Sequence, residues 1–355
     1  MRTRLMKFIA AILFFSACTK AKTSIEQASG TIADQSTGRN ISAAKAPPSV
    51  VTYLTGDGAD VTTSAVGGLI LMGGSTDVDA AIQWFLQRAN GGDVVVIRAT
   101  GADGYNTYMY NMVPVNSVET IIIDSRAKAA LTSVTDKIRN AEALFIAGGD
   151  QWDYVNYWKD TPTEDAINYL INTKHITVGG TSAGLAIMGS AYYSASSGKS
   201  VTSAEALGNP YSRNVNLGQN DFVSSPYLVN TIMDSHYTQR DRQGRHITFM
   251  ARLMQDFAYA PVKGIGIDEQ TAVCIDQTGI GNVYGINNAY FLRNTNLGPE
   301  TCVSGTPLTW NRSATAVSAY RIAGSSTGNG SFNATNWTFS GGTAYYYYVN
   351  NGVLF

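Results

Sequence analysis

The spacing of apolar runs over residues 68–178 constrains the fold more than any other feature of this 355-residue chain. Short runs rich in Val, Ile and Leu alternate with stretches of helical periodicity. We predict strands at 68–72, 93–98, 118–123, 143–147 and 176–178, and helices at 77–89, 126–139 and 162–171. The strands are apolar along their whole length, so both faces of their sheet should be buried. The pattern predicts a doubly wound α/β fold with a mostly parallel sheet.

Three of these strands end in glycine-rich turns. The turns begin at Gly73, at Gly148 and at Gly180. In open α/β sheets, ligands bind outside the carboxyl ends of the strands, so we expect the functional site at these turns. A nucleotide phosphate is one candidate for the first turn, because the backbone N–H groups of such turns bind anions. However, neither Gly-x-Gly-x-x-Gly nor a P-loop follows any predicted strand, which disfavours nucleotide binding.

The turn at Gly180-Thr-Ser-Ala-Gly184 matches Gly-x-Ser-x-Gly, the pattern of a nucleophile elbow. In such a turn Ser182 would project its hydroxyl clear of the backbone, and the two glycines would allow the tight approach that the turn requires. The N–H of Ala183 and one N–H of Gly148 or Gly149 would form an oxyanion hole. The alternative is that these glycines serve only close packing.

The three histidines of the chain differ in their surroundings: His175, His236 and His246. His236 ends an apolar run beside Asp234, which makes it the best-placed general base. The positions of the other two indicate surface or hydrogen-bonded structural histidines. Three arginines follow His236 at intervals too irregular for all of them to face the same way: Arg240, Arg242 and Arg245. One or two should face the site; the alternative for all three is a solvated, salt-bridged helix start.

Four motifs in chain order resemble those of one family of enzymes. They are Gly148-Gly-Asp-Gln151, Gly180-Thr-Ser-Ala-Gly184, Asp234-Ser-His-Tyr237 with the three arginines, and Gly264-Ile-Gly-Ile-Asp-Glu269. Together, over residues 67–292, they resemble the cyanophycinases, which are serine peptidases. The resemblance implies the class I glutamine-amidotransferase-like, flavodoxin-like fold that these enzymes share with α-aspartyl dipeptidases.

The resemblance also implies a catalytic triad. Ser182 would be the nucleophile, His236 the base, and a carboxylate between them in the sequence would orient the imidazole. We expect this carboxylate to be Glu205; Asp234 is the second choice, and would otherwise anchor the substrate or the loop. The family's usual Gln after this aspartate is Ser235 here, a departure between two important positions.

Substrate recognition is expected from polar groups near the histidine and the glycine-rich turns. The candidate residues are Gln151, Asp234, Arg240, Arg242 and Arg245. A guanidinium presents a planar fork of donors that matches a carboxylate, so the arginines would bind the carboxylates of an aspartyl peptide. The guanidinium of an arginine-containing substrate would lie elsewhere, near an acid such as Asp150 or Glu269.

The first residues have the pattern of a secretory signal. Three basic residues precede the apolar run 8–15, and Ser16-Ala-Cys18 resembles a bacterial lipobox, in which Cys18 becomes the lipidated first residue. We therefore predict a lipoprotein signal peptide at 1–18, a flexible tether at 19–48, and a lipid-anchored protein in the periplasm or at the cell surface. The alternative is an ordinary secreted protein.

The composition changes near residue 300 towards Ser, Thr, Asn, Gly and Tyr. We predict an α/β peptidase domain at 49–299 and a small β-rich appendage at 300–355. The tyrosines of 344–349 indicate either the packing of an edge strand or a binding surface. Cys274 and Cys302 could pair, but Cys274 lies in a strand-like run and is at least as consistent with a buried free thiol, so we expect no disulfide with a functional role.

Net charge and the spacing of metal-ligating residues limit the kinds of partner and cofactor that we expect. The chain has 25 basic and 26 acidic residues, a net charge of -1, which gives no reason to expect nucleic acid or direct binding to an anionic membrane. No group of His, Cys and carboxylates has metal-ligand spacing, so we expect no metal or organic cofactor. The expected partners are a peptide substrate, the membrane through the lipid anchor alone, and a second copy of the chain, since the resemblance implies a homodimer.

The expected function is that of a secreted serine exopeptidase that hydrolyses aspartyl peptides, with cyanophycin, cleaved to β-Asp-Arg dipeptides, as the first candidate substrate. One alternative is an α-aspartyl or isoaspartyl dipeptidase. The other, from a different class, is a surface lipoprotein that binds peptide or glycan without catalysis.

Overall fold

The computed structural model describes residues 48–355. The strands in chain order are β1 (Val51–Gly56), β2 (Gly68–Met72), β3 (Asp93–Arg98), β4 (Ser117–Ile122), β5 (Ala143–Ile146), β6 (Thr177–Thr181), β7 (Ala191–Tyr193), β8 (Leu217–Gln219), β9 (Thr231–Asp234), β10 (Lys263–Ile267), β11 (Thr271–Asp276), β12 (Ile280–Gly285), β13 (Asn288–Asn294), β14 (Val317–Ala323), β15 (Asn329–Asn333), β16 (Thr338–Ser340), β17 (Thr343–Tyr347), β18 (Val349–Asn350) and β19 (Val353–Leu354). The predicted signal peptide with Cys18, and the predicted tether up to residue 47, lie outside the described residues.

The helices alternate with the first strands. They are α1 (Asp79–Arg88), α2 (Asn106–Tyr110), α3 (Arg126–Ala129), α4 (Thr132–Asn140), α5 (Gln151–Trp158), α6 (Pro162–Tyr169), α7 (Ala183–Ala186), α8 (Ser203–Gly208) and α9 (Gln243–Phe257), and a π-helical turn, Leu170–Lys174, continues α6. Within residues 48–355, no helix has both the length and the apolar character needed to cross a bilayer.

The larger sheet has a parallel centre with antiparallel edges. Its parallel strands lie in the order β4-β3-β5-β6-β2. Strand β1 pairs antiparallel at one edge, and β11, β12, β15 and β16 continue the other edge. The first four of the parallel strands have the order of a flavodoxin-like sheet, and β2, the earliest of the five in the chain, occupies the fifth position. The predicted fold class, α/β with a mostly parallel central sheet, is confirmed.

Both faces of this sheet are buried, as the continuous apolar runs predicted. Along β2, Leu69 and Leu71 face one core, whereas Ile70 and Met72 face the other. The first core includes apolar side chains of α4, α5 and α6, and the second includes those of α1. Successive side chains of a strand point to opposite faces, so each apolar strand contributes to both cores. Burying each such side chain contributes about 1.5–3 kcal/mol to folding.

The predicted elements match the structure best where the apolar runs are strongest. Strands β2 and β3 have the predicted bounds. The helix predicted at 126–139 is two helices, α3 and α4, because Leu131 is extended (φ -76°, ψ 129°) and packs against the core. Helix α5 was not predicted; it is short and rich in aromatic residues, which have weak helix propensity.

A second sheet contains β9, the strand that ends two residues before His236. Its order is β17-β14-β13-β10-β9-β7-β8, and β9 and β10 are parallel neighbours. Ile265 and Ile267 of β10 pack into the first core of the larger sheet. Ile232 of β9 belongs to a further core, together with Phe249 and Leu253 of α9. The second sheet therefore lies between the larger sheet and α9.

The segment after residue 300 is rich in strands, as predicted, but it is not an appendage. Strands β14 and β17 extend the second sheet from β13, and β15 and β16 extend the larger sheet from β12. The described residues, 48–355, belong to one compact unit. The predicted boundary between 299 and 300 is therefore wrong, because the strands on its two sides pair with one another. Cys274 and Cys302 are both buried free thiols.

The two glycines of Gly-x-Ser-x-Gly are explained by one close backbone contact. A Cβ atom on Gly180 or on Gly184 would lie 2.1 Å from the carbonyl oxygen of Ile146. Only glycine allows such an approach. The end of β5 thus holds β6 and the start of α7 on either side of Ser182.

Replacing Gly184 by Ala should therefore destabilise the fold by about 1–3 kcal/mol, since the new methyl group must displace backbone atoms. Equilibrium unfolding in denaturant measures this. Gly104→Ala is the matched control, because a Cβ at Gly104 meets nothing within 4 Å, and its effect should stay within about 0.5 kcal/mol. Equal midpoints for the two variants would show that the contact with Ile146 does not constrain the turn.

Candidate active site

Ser182 adopts a strained conformation between β6 and α7. Its φ of 53° and ψ of -110° lie outside the regions that L-residues favour. Such a conformation costs about 1–3 kcal/mol and persists only where the surrounding structure enforces it. Here the Ser182 N–H donates to the carbonyl of Met72 at 3.0 Å, which ties the turn to the end of β2. The strain is the backbone signature of a nucleophile elbow.

Two hydrogen bonds connect the Ser182 hydroxyl, through His236, to the carboxylate of Glu269. The Oγ atom lies 2.8 Å from Nε2 of His236, and Nδ1 of His236 lies 2.7 Å from Oε1 of Glu269. A neutral imidazole that donates its Nδ1 proton to Glu269 has Nε2 free to accept the serine proton. The arrangement is a Ser-His-Glu triad.

The acid of this triad differs from both sequence-based choices. Glu205 lies near the start of α8, where its carboxylate accepts hydrogen bonds from Ser212 Oγ at 2.5 Å and Asn214 Nδ2 at 2.7 Å. Those two bonds hold the pKa of Glu205 below its ordinary value. The prediction that Glu205 orients His236 is therefore wrong; the Glu205 carboxylate braces the local turn that follows α8.

The pairing of two parallel strands explains why Glu269 meets His236. Strand β9 ends at Asp234, two residues before His236, and β10 ends two residues before Glu269. Residue Gly266 of β10 is paired with Asp234 of β9. The carboxyl ends of parallel neighbours lie at the same edge of a sheet, so the residues that follow them meet. Glu269 follows His236 in the sequence, whereas the expected acid lay between Ser182 and His236.

Asp234 and Arg245 form a buried ion pair beneath the histidine. The guanidinium donates from Nε to Oδ2 at 2.7 Å and from Nη2 to Oδ1 at 2.6 Å. Both residues are at most 3% exposed. Burial opposes ionisation of Asp234, but Arg245 and Arg242 outweigh it and hold the pKa of the carboxyl below its ordinary value. The prediction that Asp234 and Arg245 bind substrate is therefore wrong. The second choice of triad acid, Asp234, is wrong as well, because its carboxylate is paired with Arg245 and anchors the loop.

Arg242 and Arg240 occupy different environments. Arg242 donates from Nη1 to the Ser235 carbonyl at 2.9 Å and to Asp234 at 3.3 Å, so it belongs to the same loop network. Burial lowers its pKa to about 10, which leaves it charged at neutral pH. The Arg240 side chain is 54% exposed, with Nε 3.6 Å from Glu269 Oε1. Of the three arginines, Arg240 has the guanidinium best placed to meet a ligand.

The electrostatics favour a neutral histidine beside a charged glutamate. Burial lowers the pKa of His236 below its ordinary value, and the hydrogen bond that His236 Nδ1 donates to Glu269 only partly opposes this. The hydrogen bond to His236 in turn lowers the pKa of Glu269. At neutral pH the imidazole is therefore uncharged, and it can accept a proton.

The first glycine-rich turn shapes the site around His236. Gly74 has a φ of +97°, and a Cβ there would lie 2.5 Å from Cε1 of His236. The carbonyl of Gly73 accepts the His236 N–H at 2.8 Å, and the carbonyl of Gly74 accepts the N–H of Gln270 at 3.0 Å. This turn therefore holds the backbone beside both the histidine and the glutamate, a role that was not predicted.

Backbone donors lie beside the nucleophile. A Cβ on Gly148 would be 3.5 Å from that of Ser182, so this glycine borders the serine. The N–H groups of Gly148, Gly149 and Ala183 donate to no acceptor within residues 48–355. They are available to a ligand oxygen. Gln151 donates from Nε2 to the carbonyl of Tyr193 at 3.0 Å, which ties its half-buried side chain to β7.

The loops that carry the histidine and the glutamate are fastened to each other. Asp268 accepts hydrogen bonds from the N–H of Thr238 at 2.9 Å and from its hydroxyl at 2.7 Å. The Glu269 N–H donates to Oε1 of Gln239 at 3.0 Å. The other two histidines are structural, as expected: His175 is exposed, and His246 is buried with Nε2 3.1 Å from the carbonyl of Ile232.

Comparison with known proteins gives one family. The sequence model of peptidase family S51 matches residues 69–283, a segment that contains Ser182, His236 and Glu269. The cyanophycinase of Trichormus variabilis is 29% identical over 169 residues, which are 47% of this chain and 50% of that protein. The cyanophycinase of Geminocystis herdmanii is 25% identical over 232 residues, 61% of this chain and 77% of that protein. The chain thus spans about half the length of the first of these relatives.

One solved structure also resembles the chain. The crystal structure of a peptidase from an acI-B1 Actinobacterium has a TM-score of 0.47 and 12% sequence identity. The match covers 69% of this chain and 93% of that one.

Proposed function

The chain belongs to peptidase family S51, and we propose that it is a serine peptidase in which Ser182, His236 and Glu269 carry out the reaction. The observation that carries this proposal is the pair of hydrogen bonds, 2.8 and 2.7 Å long, that connects the strained serine to the glutamate through the histidine. The three side chains are therefore already within hydrogen-bond reach of one another, as a nucleophile, a general base and its orienting group require.

The reaction follows from these positions. Ser182 Oγ attacks the carbonyl carbon of the scissile bond while Nε2 of His236 takes the hydroxyl proton. The N–H of Ala183 and that of Gly148 or Gly149 hold the oxyanion that forms. His236 then protonates the leaving amine as the C–N bond breaks, which leaves an ester on Ser182. Water, deprotonated by His236, attacks this ester. As the ester C–O bond breaks, His236 returns the proton to Ser182 Oγ and the acid product is released.

Glu269 keeps the imidazole in the tautomer that leaves Nε2 free, and it stabilises the imidazolium that forms during each proton transfer. It remains ionised throughout, because its pKa is held below the ordinary value. The triad therefore supplies general acid and base catalysis from one histidine.

Replacing Ser182 by Ala, or Glu269 by Gln, should lower kcat by about 10⁴-fold. The first change removes the nucleophile, and the second removes the charge that orients His236. Glu205→Gln is the matched control and should retain native kcat, since Glu205 contacts Ser212 and Asn214 instead. Steady-state hydrolysis of an aspartyl dipeptide measures all three. Native activity in Glu269→Gln, or loss in Glu205→Gln, would contradict this triad.

We also propose aspartyl peptides as the substrate class, and among them cyanophycin, with β-Asp-Arg as the product. Two cyanophycinases among the relatives support this choice. So does Arg240, whose exposed guanidinium lies beside the triad and can bind a substrate carboxylate. α-Aspartyl and isoaspartyl dipeptides are the alternative substrates, because each also carries a free carboxylate that Arg240 can bind.

The substrate proposal predicts that Arg240→Ala raises KM by about 10-fold or more, the loss expected for one charge-assisted hydrogen bond. The value of kcat should change less, since the Arg240 guanidinium makes no hydrogen bond to Ser182 or His236 within residues 48–355. The hydrogen bond at 3.1 Å from Arg240 to the His236 carbonyl comes from the backbone N–H, which alanine keeps. Arg213→Ala, which removes another exposed arginine, is the control. Release of β-Asp-Arg from insoluble cyanophycin would support the polymer. Cleavage of aspartyl dipeptides alone would move the assignment to a dipeptidase, and an unchanged KM would remove Arg240 from the substrate site.

Location and assembly are further proposals that rest on the sequence. We propose that the protein is lipid-anchored through Cys18 in the periplasm or at the cell surface, and that it is a homodimer. Cys18 lies outside the described residues. Recovery of the mature protein only in the soluble fraction would contradict the anchor, and a monomeric mass in sedimentation would contradict the dimer.

A further inference from the structure

A groove far from the triad lies between the edges of the two sheets. Its volume is about 250 Å³, and it is lined by Phe291, Ser318, Ala319, Tyr320, Trp337, Phe339, Ala344, Tyr345 and Tyr346. Lys263, whose Nζ lies 5.0 Å from the centroid of the lining Trp337 ring, begins β10, whereas Glu269 follows the other end of that strand. Six residues of extended chain separate them by about 20 Å. The groove is therefore separate from the site around Ser182.

Strand register places two cations beside the aromatic side chains. Lys263, Arg293, Ser318 and Tyr346 are opposite one another on successive strands β10, β13, β14 and β17. Directly opposite residues present their side chains on the same face of a sheet. The neighbouring row on this face, two residues along each strand, consists of Ile265, Phe291, Tyr320 and Ala344. Lys263 and Arg293 are thus neighbours of the aromatic residues Phe291 and Tyr320 on the same face of the sheet.

The two cations lack acidic partners. Within residues 48–355, neither Lys263 nor Arg293 has a carboxylate within 4.0 Å. Like charges directly opposite each other on paired strands destabilise the pairing. Burial lowers the pKa of Lys263, and the charge of Arg293 adds to that effect. An anion between the two side chains would relieve this repulsion.

The wall of the groove is aromatic and contains an unused donor. The Trp337 ring lies 5.0 Å from Lys263 Nζ, and Phe339 stacks on Tyr320 with ring centroids 4.9 Å apart. Trp337 is 7% exposed, and its indole N–H has no acceptor within residues 48–355. That nitrogen is shielded from solvent, so the wall offers a ligand its ring surfaces and not this donor.

We propose that this groove binds a uronic acid residue of an acidic oligosaccharide. The carboxylate binds Lys263 and Arg293, and the apolar face of the sugar ring stacks on the aromatic side chains. The volume is below the roughly 300–1,000 Å³ of sites for drug-sized ligands, so it suits a single ring.

Other ligand classes fit the groove less well. A neutral sugar leaves both cations without a counter-charge. A peptide that carries arginine side chains brings guanidiniums towards Lys263 and Arg293, which repel them. The site is thus distinct from the peptide site proposed around Ser182, and each can be correct without the other.

Calorimetric titration of the folded protein with trigalacturonate tests the proposal, with cellotriose as the neutral sugar. The trigalacturonate should bind and cellotriose should not. Lys263→Met and Arg293→Gln should each raise the Kd by about 10-fold or more, because each removes a charge-assisted hydrogen bond. Trp337→Phe, which keeps an aromatic ring in the wall, should raise the Kd less.

Arg139→Met is the matched control. Arg139 is a cation over an aromatic ring, 4.8 Å from the centroid of Tyr169, but it lies on α4 outside the groove. Its variant should bind as the native protein does. Arg293 is exposed, so Arg293→Gln keeps the test decisive if Lys263→Met fails to fold.

Peptidase activity on a dipeptide should be native in the groove variants. Absence of trigalacturonate binding to the folded protein would overturn the proposal. So would equal binding of cellotriose, or a Kd that Arg293→Gln leaves unchanged.

Discussion

The site depends on the close packing of backbone around the carbonyl oxygen of Ile146. Gly180 and Gly184 both approach this oxygen so closely that a methyl group on either would overlap it. The contact holds the end of β6 and the start of α7 against β5, and this leaves Ser182 in a conformation that a serine in a flexible loop would not adopt. The strain is sustained by a sheet whose two faces are buried, since the cores on both sides fix the strands that flank the turn.

The second constraint is the parallel pairing of β9 and β10. These strands deliver His236 and Glu269 to the same edge of the second sheet, where the Gly73-Gly74 turn brings the histidine against Ser182. Beneath the histidine, Asp234 and Arg245 form a buried ion pair with two good hydrogen bonds. Removing one partner of such a pair typically costs about 3–5 kcal/mol, because the other charge stays buried. The arginines after His236 thus have separate tasks: Arg245 and Arg242 support the loop, and Arg240 faces outward.

Local features of the sequence predicted the elements whose structure is decided locally. The apolar runs of β2 and β3 have their predicted bounds, and Gly-x-Ser-x-Gly marks the strained turn, since both depend on neighbouring residues. Glu269 was not predicted as the triad acid because it meets a histidine 33 residues away through the pairing of two strands. The predicted boundary at residue 300 was wrong for the same reason: the strands after it pair with β12 and β13, and local sequence does not show which distant strands pair. Nor does the sequence distinguish exposed Arg240 from buried Arg245; only the packing of α9 on β9 does so.

The most direct test of the central claim, that the packed backbone presents an activated Ser182 to a neutral His236, is the rate of modification by a fluorophosphonate as a function of pH. Peptide mapping by mass spectrometry should find one adduct, on Ser182. Burial lowers the pKa of His236 below its ordinary value, and only the neutral imidazole accepts the serine proton. The rate should therefore fall at acidic pH, with a midpoint below the ordinary pKa of histidine, about 6.5. A folded protein that acquires no adduct, that is modified at another residue, or whose Ser182 reacts at the same rate when His236 is replaced by Ala would contradict the account.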